Sequence, residues 1–272
     1  MALRERVQVK TPEQVRAMRR AGVVVAAALD EVRAALRPGV TTAELDVVAA
    51  AVIRAAGATP SFLGYHGYPA STCVSVNDEV VHGIPGPRVL QPGDVVSVDC
   101  GAVVDGWHGD AAFSAVLDPA DPADLALVAA TERAMWAGIA ALAGAARTSA
   151  VGAAVDDEVA DVYGIVEEYV GHGIGTSMHM DPNVPNYATG GRSPVIAVGM
   201  ALAVEPMVCA GARAVETLDD DWTVVTVDGR HACHWEHTVA VTAEGPWVLT
   251  ALDGGAARFA ALGVASPAAT RA

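Results

Sequence analysis

Residues 95–117 read VVSVDCGAVVDGWHGDAAFSAVL. Small and apolar residues alternate on both sides of Asp105-Gly106, a dipeptide suited to a two-residue hairpin turn, so the stretch is predicted to form two antiparallel strands. If the loop holds two residues, 104 faces 107 and Asp110 lies opposite Gly101. Asp99, two residues from Gly101, then shares the face of Asp110 and stands diagonal to it, about 7 to 8 Å away along the backbone. On a strand as apolar as VVSVDCGAVV, two unpaired negative charges would cost on the order of several kcal/mol. A cation between them removes that cost. For two isolated aspartates, one capping a turn and the other paired with an arginine would serve as well.

Outward from the hairpin the period changes. Upstream, Thr11, Pro12 and Gln14 make a capped start, and Met18, Val25, Leu29, Val32 and Leu36 follow at helical spacing until Pro38-Gly39. Thr41 with Glu44 opens a second helix, carried by Leu45, Val48, Val52 and Ile53 and ended near Gly57. The two are expected to pair antiparallel, with TCVSV (72–76) a strand beyond them. Downstream, helical spacing returns after Asp121-Pro122 through Leu125, Val128 and Ile139, and again from about Val155 to Val170. VIAVGMALAVEPMV (195–208) and HACHWEHTVAVT (231–242) read as strands. This order of helices, strands, helices, strands predicts an α+β or mixed α/β fold in which helices back a curved sheet. Residues 1–262 are read as one domain, with a small polar tail from Gly263 expected to fray.

Composition narrows the functional classes. A chain of 272 residues that is 52% apolar can bury a large core without disulfides or a structural metal. Its formal net charge of −15 opposes binding to nucleic acid or anionic lipid, which depends on basic residues. The opening MALRERVQVKTPEQ lacks the apolar core of a signal peptide, and no apolar run is long enough to span a bilayer, so a cytoplasmic protein is expected. Cys73, Cys100, Cys209 and Cys233 show no paired spacing and are expected to be reduced thiols.

More acid sits on apolar strands. Glu205 lies in MALAVEPMV with no basic residue between Arg192 and Arg213, and Glu236 lies in HWEHTVAV, where only His234 and His237 could offset it. Four such carboxylates without matching Lys or Arg read as hard oxygen ligands for metal. His172, between glycines in GHGIGTSMHMDP, adds an imidazole, which favours a mid-row transition ion over calcium or magnesium. Five donors exceed the needs of one catalytic ion, whereas two ions sharing carboxylates use them all. A dinuclear hydrolytic site is the physical inference.

Taken together, SVNDEVVHGIP, VSVDCG, DGWHGD, GHGIGTSMH, VEPMV and HWEHTVAVT resemble the type I methionine aminopeptidases in order and spacing, from about Thr11 to Leu252. The resemblance implies the "pita-bread" α/β fold, two pseudo-symmetric halves around a curved central antiparallel sheet backed by helices. It implies that Asp99, Asp110, His172, Glu205 and Glu236 ligate two divalent ions (Co, Mn, Fe, Zn or Ni), with Asp110 and Glu236 bridging. His82 resembles the family's contact to the amide being cut, His179 its stabiliser of the tetrahedral intermediate, and Glu205 its proton shuttle. Read without the family, His82 is a loop histidine and His179 a structural one.

The same resemblance places Phe62, Tyr65, Tyr68, Cys73, Met178 and Trp222 around the first side chain of the substrate, where FLGYHGYP could equally be an aromatic surface loop. Thr176 and Met178 stand where other members often have Arg and Phe, which touches only the shape of the pocket. The implied activity is hydrolytic removal of the initiator methionine from nascent proteins or peptides with a small second residue. The expected setting is a cytoplasmic monomer near the ribosome, with no extension rich in cysteine or proline to dock it there. The rivals are a proline-specific metallopeptidase of the same fold and a non-catalytic interaction module of that fold. The first usually carries a large extra N-terminal domain, and the second would have lost its ligands.

Overall fold

Thr11 accepts a hydrogen bond from the Gln14 amide while the Gln14 side chain accepts one from Thr11, a reciprocal cap that starts helix α1 (Pro12–Ala35). Thr41 and Glu44 repeat the device at α2 (Thr42–Ala55), and both helices form where the sequence places them. The computed structural model describes residues 7–270. After α2 come strands β1 (Thr59–Pro60), β2 (Thr72–Val76), β3 (Glu79–Val81), β4 (Val95–Val104) and β5 (Trp107–Val116), then helices α3 (Pro122–Ala141) and α4 (Ser149–Val159). The second series of strands is β6 (Gly164–Ile165), β7 (Gly171–Gly173), β8 (Met180–Val184), β9 (Ala201–Val204) and β10 (Met207–Cys209). It continues through β11 (Val215–Thr217), β12 (Val224–Thr226), β13 (Ala232–His234), β14 (Glu236–Thr242) and β15 (Gly245–Val248), before helix α5 (Ala256–Leu262).

The main sheet runs β1-β4-β5-β14-β9-β7-β8, with β2 also paired to β4 and β15 to β14, and two small sheets, β13-β10-β6 and β11-β12-β3, flank it. The central hairpin has the predicted register, Val104 opposite Trp107 and Gly101 opposite Asp110. Asp105 and Gly106 take φ of 50° and 78°, the two positive values that a tight hairpin turn needs. Val96, Val98, Ala111 and Phe113 line one face and pack with Val25, Leu29 and Val32 of α1 and Leu45 and Ile53 of α2 in the main core. Asp99 and Asp110 occupy the other face. Helix α1 lies on the sheet almost backbone to backbone: a Cβ on Gly22 would sit 2.1 Å from the Leu249 oxygen, and one on Gly109 would sit 2.8 Å from the Gly22 nitrogen.

Several expectations need correction. The helix predicted over about Val155–Val170 instead spans Ser149–Val159. Val162 and Val166 continue the helical spacing, but Gly164 and Ile165 pair with β10, and Gly164 packs so closely on Gly211 that a Cβ would meet its oxygen at 2.6 Å. Residues 195–200 are not strand: Val195 and Val198 are exposed and Gly199 turns with φ of 93°. Both long predicted strands also break. The first divides at Glu205-Pro206 into β9 and β10, the second at Trp235 into β13 and β14, and in each case the two pieces belong to different sheets. The tail from Gly263 packs instead of fraying as far as Ala268: Ser266 donates to the Pro246 oxygen and Ala268 is buried in a cluster with Trp247 and Leu249. Residues 271 and 272 lie outside the described residues.

Candidate metal centre and substrate cavity

Period-two alternation and strand pairing together bring the carboxylates onto one face. Cys73 pairs with Asp99, Asp99 with Ala112 and Ala112 with Glu236, a row running across four strands, with Asp110 two residues along from Ala112. The last pairing between β14 and β9 is His237 with Val204, so Glu205, just beyond it, falls beside Glu236 where the chain leaves the sheet. His172 lies between Gly171 and Gly173 on β7, the next strand. The small Ala112 at the middle of the row leaves space above it. All five expected ligands line one cavity of about 330 Å³.

The geometry has the marks of a cation site. Ligand atoms of Asp110, His172 and Glu236 lie within 4.8 Å of one another, as do those of Glu205, His234 and Glu236, and Asp99 lines the same cavity on the strand beside Asp110. His172 Nε2 is 3.3 Å from Glu205 Oε1, while its Nδ1 donates to the Gly173 oxygen at 2.9 Å, leaving the Nε2 lone pair toward the carboxylates. Asp99 Oδ1, Asp110 Oδ1, Glu205 Oε1, Glu236 Oε1 and His234 Nε2 are buried without a hydrogen-bond partner. Burial and the neighbouring carboxylates push Asp99, Glu205 and Glu236 well above the usual carboxyl range, and burial raises Asp110 to about 7. Burial also lowers His172 to about 3, which keeps it a neutral donor. Orphaned oxygens with a neutral imidazole among them fit divalent transition ions.

Beside the carboxylates the wall becomes apolar. Phe62, Tyr68, Cys73 and Met178 form a buried cluster against which Tyr65 and Trp222 pack, and all six line the same cavity. The Tyr68 and Trp222 rings meet edge to face at 5.0 Å, and the Tyr68 hydroxyl donates to the oxygens of Thr72 and Gly83. Gly101 is needed here, since a Cβ would lie 2.9 Å from the Phe62 ring. His82 holds a left-handed backbone, φ 61°, with its ring edge-on to Tyr169 and lowered by burial to about 4. Such a conformation in a residue with a Cβ occurs at sites where surrounding structure enforces it. His179 lies 4.4 Å ring to ring from His172, and its Nδ1 meets the Tyr65 hydroxyl at 2.8 Å.

Sequence reasoning missed other lining residues: Val81, Glu168, Tyr169, Val170, Asn183, Met207 and His234. Only His234 had a readable signal, its place two residues before Glu236 in an alternating stretch. His237, the other basic neighbour, bonds Thr250 and meets the Trp136 ring edge to face behind the sheet.

Comparison with known proteins agrees with this geometry. The model of metallopeptidase family M24 matches residues 16–243. Methionine aminopeptidase 1 of Mycobacterium tuberculosis (strain CDC 1551 / Oshkosh) is 54% identical over 242 residues, 86% of this chain and 91% of that one. The chain belongs to the methionine aminopeptidases of metallopeptidase family M24. The crystal structure of methionine aminopeptidase from Thermotoga maritima superposes with a TM-score of 0.88 at 40% identity, covering 90% of this chain and all of that one. A prolidase from Pyrococcus furiosus, 18% identical with a TM-score of 0.71, shares the fold alone, and the match spans 89% of this chain but only 65% of that protein. The fold is therefore the pita-bread fold of this family, and membership implies use of divalent metal.

Proposed function

We propose that the protein removes N-terminal methionine from proteins and peptides whose second residue is small, using two divalent ions held by Asp99, Asp110, His172, Glu205 and Glu236. The observation that carries this reading is the single cavity in which orphaned carboxylate oxygens adjoin an apolar aromatic pocket. An unbranched thioether suits such a wall through sulfur and ring contacts. Four buried free thiols support a reducing, cytoplasmic setting.

When bound, the ions lower the pKa of water toward about 7 and polarise the scissile carbonyl. Glu205, ionised where it holds an ion, would accept a proton from water and pass it to the leaving amine. Asn186 donates to the Glu205 backbone oxygen at 3.0 Å and so fixes the turn from which this side chain projects. With the Tyr65 hydroxyl on Nδ1, His179 presents Nε2–H to the developing oxyanion. His82, neutral at physiological pH, contacts the reacting amide.

The test is kcat/KM for Met-Ala-Ser, Leu-Ala-Ser, Met-Lys-Ser and Ala-Pro-Ala after chelation and readdition of each ion. Met-Ala-Ser should lead, with Leu disfavoured by roughly ten- to two-hundred-fold, the effect of about 1 to 3 kcal/mol from altered branching in an apolar pocket. Lysine at the second position should lower the rate by displacing the reacting amide. Equal values for the three non-proline peptides reject the pocket, and cleavage of Ala-Pro-Ala alone assigns a proline-specific enzyme.

A further inference from the structure

His234 ends β13, immediately before the chain changes sheet at Trp235. Its backbone is pinned on Ser114, whose hydroxyl donates to the His234 oxygen at 2.8 Å and accepts from the His234 nitrogen at 3.1 Å. Ser114 lies two residues beyond Ala112 on β5 and so shares the face that carries Asp99 and Asp110. The His234 ring is thereby held in the cavity, and the residue is 3% exposed. Its Nε2 has no hydrogen-bond partner and stands 4.0 Å from Glu236 Oε2.

That separation decides between two roles. A buried imidazole that merely hydrogen-bonded a carboxylate would close to about 2.7 to 3.2 Å. Donors sharing one transition ion, each about 2.0 to 2.2 Å from it, stand roughly 3 to 4 Å apart. His172 Nε2 and Glu205 Oε1, at 3.3 Å, show the same spacing, and one atom each from Glu205, His234 and Glu236 can be chosen within 4.8 Å of one another. We infer that His234 is a further metal donor, taking an ion together with Glu205 and Glu236. The cavity then offers two imidazoles, and its preference moves toward cobalt, nickel, zinc or ferrous iron and away from manganese and magnesium. This rests on reading the cavity as a metal centre and adds a ligand to it.

The experiment is cobalt binding to the chelator-treated full chain, followed by proton NMR of the paramagnetic enzyme, in which each cobalt-bound imidazole gives a strongly shifted, exchangeable N–H signal. The wild type should show two such signals and His234→Gln one, with cobalt affinity about 10- to 100-fold weaker by chelator competition and manganese affinity changed less. Thermal melts of the metal-free variants report folding, His234→Asn replaces the Gln variant if that one melts early, and the wild-type signal count decides the question without either. Two bound cobalt ions with a single imidazole signal that survives His234→Gln would overturn the assignment while leaving the metal centre intact. No cobalt uptake by the wild type would overturn both.

Discussion

Asp110 and His82 line one cavity but stand in different relations to charge, and substitution should separate them. Asp110 is buried, with one carboxyl oxygen orphaned and Asp99 and Glu236 beside it, and if it bridges two ions as proposed, its loss would leave them repelling each other. Asp110→Ala should lose bound metal and turnover together, and elemental analysis showing two tightly held ions with normal hydrolysis would remove it from the centre. His82 meets the Tyr169 and Trp222 rings edge-on and lies in no candidate metal cluster among the described residues. His82→Ala should keep the full metal content and lose about 10²- to 10⁴-fold in kcat, the usual range for a positioned acid, base or hydrogen-bonding group. An unchanged kcat on a methionyl tripeptide returns His82 to a structural role.

Elements position these residues through contacts as tight as those of the site itself. Helix α1 is anchored where Arg19 donates to the backbone oxygens of Leu249, Ala251 and Leu252, and where Gly22 meets the Leu249 carbonyl. Gly22→Ala pits two effects against each other. Alanine gains about 1 kcal/mol of helix propensity, but its methyl would overlap a backbone oxygen, and forced overpacking costs roughly 1 to 3 kcal/mol. Since the Leu249 carbonyl directly follows β15, accepts from Arg19 and belongs to a residue whose nitrogen is tied to the Thr238 oxygen, it cannot swing aside freely, so the clash should win and Tm should fall. A raised Tm in calorimetry would mean that α1 can shift on the sheet, and with it the hairpin that carries Asp99 and Asp110.

At the scale of the whole molecule, the centre makes stability depend on pH and on metal together. Burial raises Asp110 from an ordinary 3.8 to about 7, and burial with the neighbouring carboxylates pushes Asp99, Glu205 and Glu236 well above the usual carboxyl range. A carboxyl whose folded value is raised contributes stability in full below its unfolded value and loses it as pH climbs through the folded value. The buried histidines act in the opposite sense, but only below their ordinary 6.5, and Lys10, lowered by burial to about 8, opposes only above that. Between pH 6.5 and 8 the carboxyls therefore govern, and metal-free protein should lose Tm as pH rises. Bound ions favour the ionised carboxylates, so loaded protein should hold or gain Tm over the same range. Parallel melting curves with chelator and with cobalt would show that the carboxyls are not the dominant charges.

Much of this architecture is local and was readable from the chain. The Asp105-Gly106 turn sets the hairpin register because only two residues must adopt positive φ, and the Thr11/Gln14 and Thr41/Glu44 caps start their helices with groups three residues apart. From that register alone Asp99 and Asp110 share a face, and the lack of basic neighbours around Glu205 and Glu236 marks them as needing a cation. Long-range pairing decided the rest. Gly164-Ile165 joins β10, which overrides a helical spacing that runs on to Val170, and Ser266 and Ala268 dock the expected loose end. Glu205 and Glu236 meet because β9 ends where its antiparallel partner β14 begins, and His234 enters the cavity because Ser114, 120 residues earlier, holds its backbone. Turns and caps close within a few residues and depend on local dihedral preference, whereas the convergence of the carboxylates and histidines on one cavity depends on which distant strands find each other, information that no local window of sequence contains.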